Sequence, residues 1–146
     1  MKIDSPALGL IEVEDGKIID FPGGLSGFEH LRRFALLHDE DDAERALFLL
    51  LSVDDPEVLF SVTDPVRIAV HYELRLSDEE SATIGLQDPA QAVVLVILRR
   101  GEGEGAPDSA GLRANFMAPV IINLATRRGL QKVMSRVDCE VTLRSL

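Results

Sequence analysis

Leu112-Arg113-Ala114-Asn115-Phe116-Met117-Ala118-Pro119-Val120-Ile121-Ile122-Asn123 is two short apolar runs that meet at Pro119, with an Asn near the end of each. Leu112 to Phe116 alternates apolar and polar residues, the pattern of a strand with one wet face. Val120 to Ile122 is β-branched and apolar throughout, which predicts a strand buried on both faces. Pro119 has no N–H to give to a ladder, so a bulge, an edge or a kink belongs between the two runs. A buried amide without a partner costs roughly 1–3 kcal/mol. Asn115 and Asn123 are therefore expected to pin neighbouring backbone at strand ends, with a contact role as the alternative.

Outward from this stretch the chain reads as strands and turns. Leu10–Val13 and Lys17–Phe21 flank Glu14-Asp15-Gly16, and Asp-Gly between such runs is a hairpin signal. Phe21-Pro22-Gly23-Gly24-Leu25-Ser26-Gly27-Phe28-Glu29 has three glycines, but no Lys-Ser or Lys-Thr follows as a phosphate loop requires. Positive φ in tight turns is the better use of these glycines. Strands are expected at Arg33–Leu37, Ala46–Val53, Val58–Val62 and Val66–Tyr72, broken at Asp54-Asp55-Pro56-Glu57 and at Thr63-Asp64-Pro65. Ser77-Asp78-Glu79-Glu80 is a capping box, which places a short helix ending near Gly85. Ala92–Leu98 has the length and β-branching of a central strand. Residues 101–111, rich in Gly, are expected to be a flexible exposed loop. Ala125–Gly129 turns the chain into Leu130–Val137 and then Cys139–Leu143. The fold class that follows is mainly β: a single domain over 1–146, an antiparallel pseudo-barrel or roll of about nine or ten short strands with one short helix.

Composition narrows the function. With 46% apolar and 27% charged residues the chain is that of an ordinary globular domain. Its net charge of -10, with only three lysines, disfavours direct nucleic-acid binding, which needs a basic patch. The same charge suits a basic protein partner. Met1–Pro6 lacks an apolar signal core, and the longest apolar run, Ala92–Leu98, is far too short for a membrane span. A cytoplasmic protein without membrane contact is expected. Cys139, the single cysteine, sits in an alternating strand with no cationic cluster to activate it. His30, His38 and His71 have no metal-ligand spacing. No catalytic residue, metal site or cofactor is expected. Asp39-Glu40-Asp41-Asp42 within the acidic run 38–44 lacks the glycine and terminal glutamate of a calcium loop. It is a solvated loop or a steering surface for a basic partner.

The opening stretch closely resembles the "taNLlaPivIN" segment of the flagellar assembly factor FliW family. Ile18-Ile19-Asp20-Phe21 leading to Gly24-Leu25-Ser26-Gly27-Phe28-Glu29, then Leu50-Leu51-Ser52, Phe60-Ser61-Val62-Thr63-Asp64-Pro65 and Gly129-Leu130-Gln131, fall in the family's order. Ser26 stands where Pro is usual, Leu51 where Gln is frequent and Phe116 where Leu is usual. No aromatic stands near Cys139, and the glycine-rich loop is longer than typical. The resemblance implies a compact, mainly antiparallel pseudo-barrel. It also implies a non-enzymatic regulator that binds the RNA-binding translational repressor CsrA, antagonises it away from its RNA site, and is itself occupied by flagellin. Partner-contact candidates are Phe28, Asp64, Asn115 and Asn123 from the quoted motifs, with Asp39, Glu40, Asp41 and Asp42 from the acidic run. A small-molecule-binding barrel and a flagellin chaperone without a translational role are the alternatives, and the volume left inside the barrel bears on the first.

Overall fold

The structure, a computed structural model, describes residues 1–38, 47–65, 75–100 and 112–133. Nine strands lie among these residues: β1 (Lys2–Ser5), β2 (Gly9–Glu12), β3 (Ile18–Asp20), β4 (Arg33–His38), β5 (Leu47–Ser52), β6 (Leu59–Thr63), β7 (Ala92–Arg100), β8 (Leu112–Asn123) and β9 (Arg128–Gln131). Helix α1 spans Asp78–Thr83. β3 to β9 form a closed barrel, and β1 and β2 form a separate two-stranded sheet. The expected strand at Val66–Tyr72, the glycine-rich segment 101–111 and the strand at Cys139–Leu143 lie outside the described residues, as does the expected continuation of Leu130 beyond residue 133.

The barrel follows from period-2 alternation. Along β4, Phe34 and Leu36 belong to one core cluster while Ala35 and Leu37 belong to another. The first cluster fills the barrel with Ile19, Phe21, Leu25, Leu31, Leu50, Val62, Leu95, Ile97, Val120 and Ile122. Phe21 and Phe34 meet edge to face at 5.4 Å between ring centroids, and Phe34 lies 6.3 Å from Phe60. The second cluster joins the outer face of β4 and β5 to Ile3 and Val13 of the N-terminal segment. Sealing this face buries apolar area at about 25 cal/mol per Å².

Three expectations change. The Asp15-Gly16 hairpin does not form. β2 pairs with β1, from Lys2↔Glu12 to Ser5↔Gly9, and Asp15–Lys17 is a 3-10 turn that carries the chain into the barrel. The hairpin turn is instead at residues 6–8, where Leu8 N–H donates to Ser5 Oγ and Gly9 takes a φ of +77°. Next, the two runs around Pro119 form one strand rather than two. Asn115 pairs with Ile97 and Val120 with Leu95, so four residues of β8 oppose Val96 alone. The sequence placed a bulge among its options, and a bulge is what relieves the missing N–H of proline. Finally, the barrel is not wholly antiparallel: β3 and β9 run parallel and meet at Asp20↔Arg128. Asp20 N–H donates to Arg127 O at 2.9 Å beside that pair.

Other expectations hold in place. Ser77 caps α1 through a reciprocal box with Glu80, and Gly85 closes it with a φ of +63°. Val120, Ile121, Ile122 and Asn123 are all buried. No helix of the described residues is long and apolar enough to cross a membrane.

Candidate partner interface

Three of the segments that carry the family resemblance, the 21–29 loop, β8 and β9, are tied together by hydrogen bonds. Gly24 and Gly27 hold φ of +67° and +84°, and Leu25 and Phe28 form an isolated bridge across the loop. A Cβ on Gly24 would lie 2.6 Å from the Glu29 Cα, so no side chain fits there. Ser26 N–H donates to Gln131 Oε1 at 2.6 Å, and Gln131 Nε2 donates to Ala118 O at 3.1 Å. One amide on β9 thus ties the glycine loop to the β8 bulge. Lys132 N–H adds a bond to Pro119 O at 3.0 Å. Gln131 lies in a quoted motif, but a lone amide at the end of a short apolar run carries no signal of this bridging role.

The polar side chains of these motifs are largely spent on backbone. Asn123 is fully buried; its Nδ2 donates to Ile84 O at 3.0 Å and its Oδ1 accepts from Ala125 N–H at 2.9 Å. Thr126 Oγ1 donates to the same Ile84 oxygen at 2.7 Å. These two bonds fasten the end of α1 to the β8–β9 turn. Asn115 is half-buried, and its Oδ1 accepts from Met117 N–H at 3.2 Å, an Asx-type contact at the start of the bulge. It stands inside β8 rather than at a strand end as expected. Ser52, fully buried, accepts from Asp55 N–H at 2.9 Å.

Phe28 is half-buried and stacks edge to face on Phe60 at 5.5 Å, leaving part of its surface on the glycine loop open to a partner. Asp64 follows β6 and is also half-buried. Asp39, Glu40, Asp41 and Asp42 lie outside the described residues. The structure brings Asn115 and the glycine-loop residue Phe28 onto elements joined by Gln131, and it places Asn123 in the core, away from any surface.

The charged side chains with hydrogen-bonded partners make structural contacts. Asp54 Oδ1 accepts from Arg33 Nη2 at 2.8 Å and Nε at 3.3 Å, and Asp54 Oδ2 accepts from the N–H groups of Arg32 and Arg33. The Arg33 guanidinium, with these amides, holds the Asp54 carboxyl below its usual range. Glu29 is lowered chiefly by N–H donors of its own loop, Gly27 among them. Burial pushes Glu80 up, but hydrogen bonds from Lys132 Nζ and Ser77 outweigh it and leave it lowered. Among the described residues no three His, Cys, Asp or Glu side chains group as metal ligands would.

Comparison with known proteins decides the relationship. The model of the FliW protein family matches residues 2–145. The chain belongs to the FliW family. It is 56% identical to the flagellar assembly factor FliW of Azoarcus sp. (strain BH72), over 99% of this chain and 98% of that protein. It is 38% identical to the flagellar assembly factor FliW of Chromobacterium violaceum, over 94% and 96% of the two chains. A crystal structure of the flagellar assembly factor FliW superposes with a TM-score of 0.79 at 26% identity, covering 97% of this chain and 94% of that one. The closed barrel with a small accessory sheet is thus a FliW fold. Its motif asparagines serve that fold through the backbone bonds described above.

Proposed function

We propose that this chain is a non-enzymatic flagellar assembly factor acting in the cytoplasm, which binds the translational repressor CsrA and is itself bound by flagellin. Free protein would draw the repressor from flagellin mRNA, and unexported flagellin would occupy the protein and release the repressor. The observation that carries this reading is family membership across nearly the whole chain, from residue 2 to residue 145. The net charge of -10 supports it, since a repressor that reads RNA presents basic residues, and complementary potential speeds encounter and selects partners. The same charge opposes direct contact with RNA.

The filled barrel argues against the small-molecule alternative in its simplest form. Phe21, Phe34, Leu50, Val62, Val120 and Ile122 are each fully buried inside it, and they take up the interior a central ligand would need. The reading is tested by calorimetric titration of this protein with purified repressor and with flagellin, separately and then in competition. Saturable binding of both is expected. Binding of flagellin alone would leave a chaperone without a translational role.

A further inference from the structure

One end of the barrel is not filled. Where β4 finishes and β5 begins, the 3-10 turn at Asp15–Lys17 and the β8–β9 turn surround a cavity of about 200 Å³. Its walls are apolar: Ile19, Leu36, Phe48 and Leu124. Leu124 is 52% exposed, an apolar side chain left at the entrance. Among the described residues that line it, the charged or titratable side chains are basic: Lys17, Arg127 and His38.

Arg127 is held there against its backbone preference. Its φ of +57° makes it the one non-glycine residue with positive φ among the described residues. That conformation is unfavourable for a non-glycine residue and persists where the surroundings fix it. Here Arg127 N–H donates to Asn123 O at 2.8 Å, and Arg127 O accepts from Asp20 N–H at 2.9 Å. One guanidinium N–H donates to Asp15 O at 3.1 Å. Of the five donors of a guanidinium, the others are left for a ligand. Among the described residues neither Lys17 nor Arg127 forms an ion pair.

We propose that this barrel-end cavity is a binding site for a small apolar monocarboxylate, its ring or short chain against Leu36 and Phe48 and its carboxylate on Arg127 and Lys17. Size supports a small ligand: an apolar cavity of about 150 Å³ holds benzene, and drug-sized ligands need about 300 Å³ or more. The planar fork of Arg matches a carboxylate, and a charge-assisted pair beside an apolar wall is about twice as strong as a neutral bond. His38, 4.8 Å from Phe48 between ring centroids, extends the aromatic wall towards the entrance. None of the residues along its wall belongs to the glycine loop or the β8 bulge.

The test is titration of the full chain with benzoate, followed by amide and methyl NMR shifts, with benzyl alcohol as the uncharged control. Saturable shifts confined to Ile19, Leu36, Phe48 and Leu124 and their neighbours are expected, with benzyl alcohol at least about tenfold weaker, or about 1.4 kcal/mol. Arg127→Gly takes the positive φ without strain and removes the guanidinium, so it should fold and bind benzoate about tenfold more weakly. Lys17→Gln, at an exposed position, gives a second folded variant with weakened binding. Equal affinity for benzyl alcohol, or unchanged benzoate binding by both variants, overturns the proposal. So does a short peptide ending in phenylalanine that moves the same resonances at far lower concentration, which would assign the cavity to a chain terminus.

Discussion

Asn123→Ala should destabilise the barrel rather than act through a partner contact. The side chain is fully buried and makes two backbone bonds, to Ile84 O and from Ala125 N–H. Losing a net hydrogen bond costs about 0.5–1.5 kcal/mol, and the space left by the amide adds a cavity cost. Ile84 O keeps its bond from Thr126 Oγ1, which limits the penalty on that oxygen. About 2–3 kcal/mol follows for the single change, and Thr126→Ala, which leaves Asn123 in place, should cost about 1 kcal/mol. The double variant removes both side-chain donors to one buried carbonyl, so its cost should exceed the sum of the singles by about 0.5–1 kcal/mol. For a domain of this size that places Asn123→Ala about 6–9 °C below the parent in melting temperature. Urea unfolding of all four proteins at constant slope measures the cycle. A loss below about 0.5 kcal/mol for Asn123→Ala, or strict additivity of the pair, would refute the tie between α1 and the β8–β9 turn.

Other changes have equally definite outcomes. Gly129→Ala sets a Cβ 2.6 Å from Phe21 Cε1, and Phe21 is fully buried, so overpacking should cost about 1–3 kcal/mol by urea denaturation. Gly24→Ala meets backbone at the same distance with φ at +67°, and should cost at least as much and lower affinity for any partner that uses Phe28. Glu80, paired to Lys132 Nζ at 2.8 Å, is lowered from 4.5 in the folded protein. Its stabilisation is present above that value and is lost as pH falls through the lower folded one; Glu80→Gln keeps the capping box, so it should lower stability by about 0.5–1 kcal/mol at neutral pH and flatten the acid side of the stability curve. Neutralising Asp39, Glu40, Asp41 and Asp42 together should slow association with a basic partner and weaken its salt dependence, with dissociation nearly unchanged; an unaltered on-rate in stopped flow places the steering surface elsewhere.

Local chemistry was legible wherever a residue type allows a single use. The Ser77–Glu80 box and the positive φ of Gly24 and Gly27 follow from backbone rules that hold whatever the tertiary context, whereas Pro119 left a bulge, an edge or a kink open and only the pairing with β7 decides for a bulge. Pairing was less legible. Asp15-Gly16 carries hairpin chemistry, yet β3 finds better partners in β4 and β9, and the turn is used as a crossing between sheets. Tertiary burial of Ile19 and Phe21 outweighs the local turn preference. The parallel pair of β3 and β9 that closes the barrel could not be read at all, because Asp20 and Arg128 are joined by topology and by no pattern in either strand. At the candidate interface both motif asparagines bond backbone, Asn123 at the strand end the sequence suggests and Asn115 within β8 instead. The linking role of Gln131 and the constrained Arg127 depend on residues over a hundred positions away, Ser26 and Asp15, and only the folded chain brings them together.

The most direct test of the proposed role is a gel-shift titration of this protein into a preformed complex of the repressor with flagellin leader RNA, followed by addition of flagellin. The RNA should be released as the protein is added, with no band in which the protein itself holds RNA, and flagellin should restore the repressor–RNA complex. A repressor–RNA complex left intact by excess protein, or a direct complex of the protein with the RNA, would contradict it.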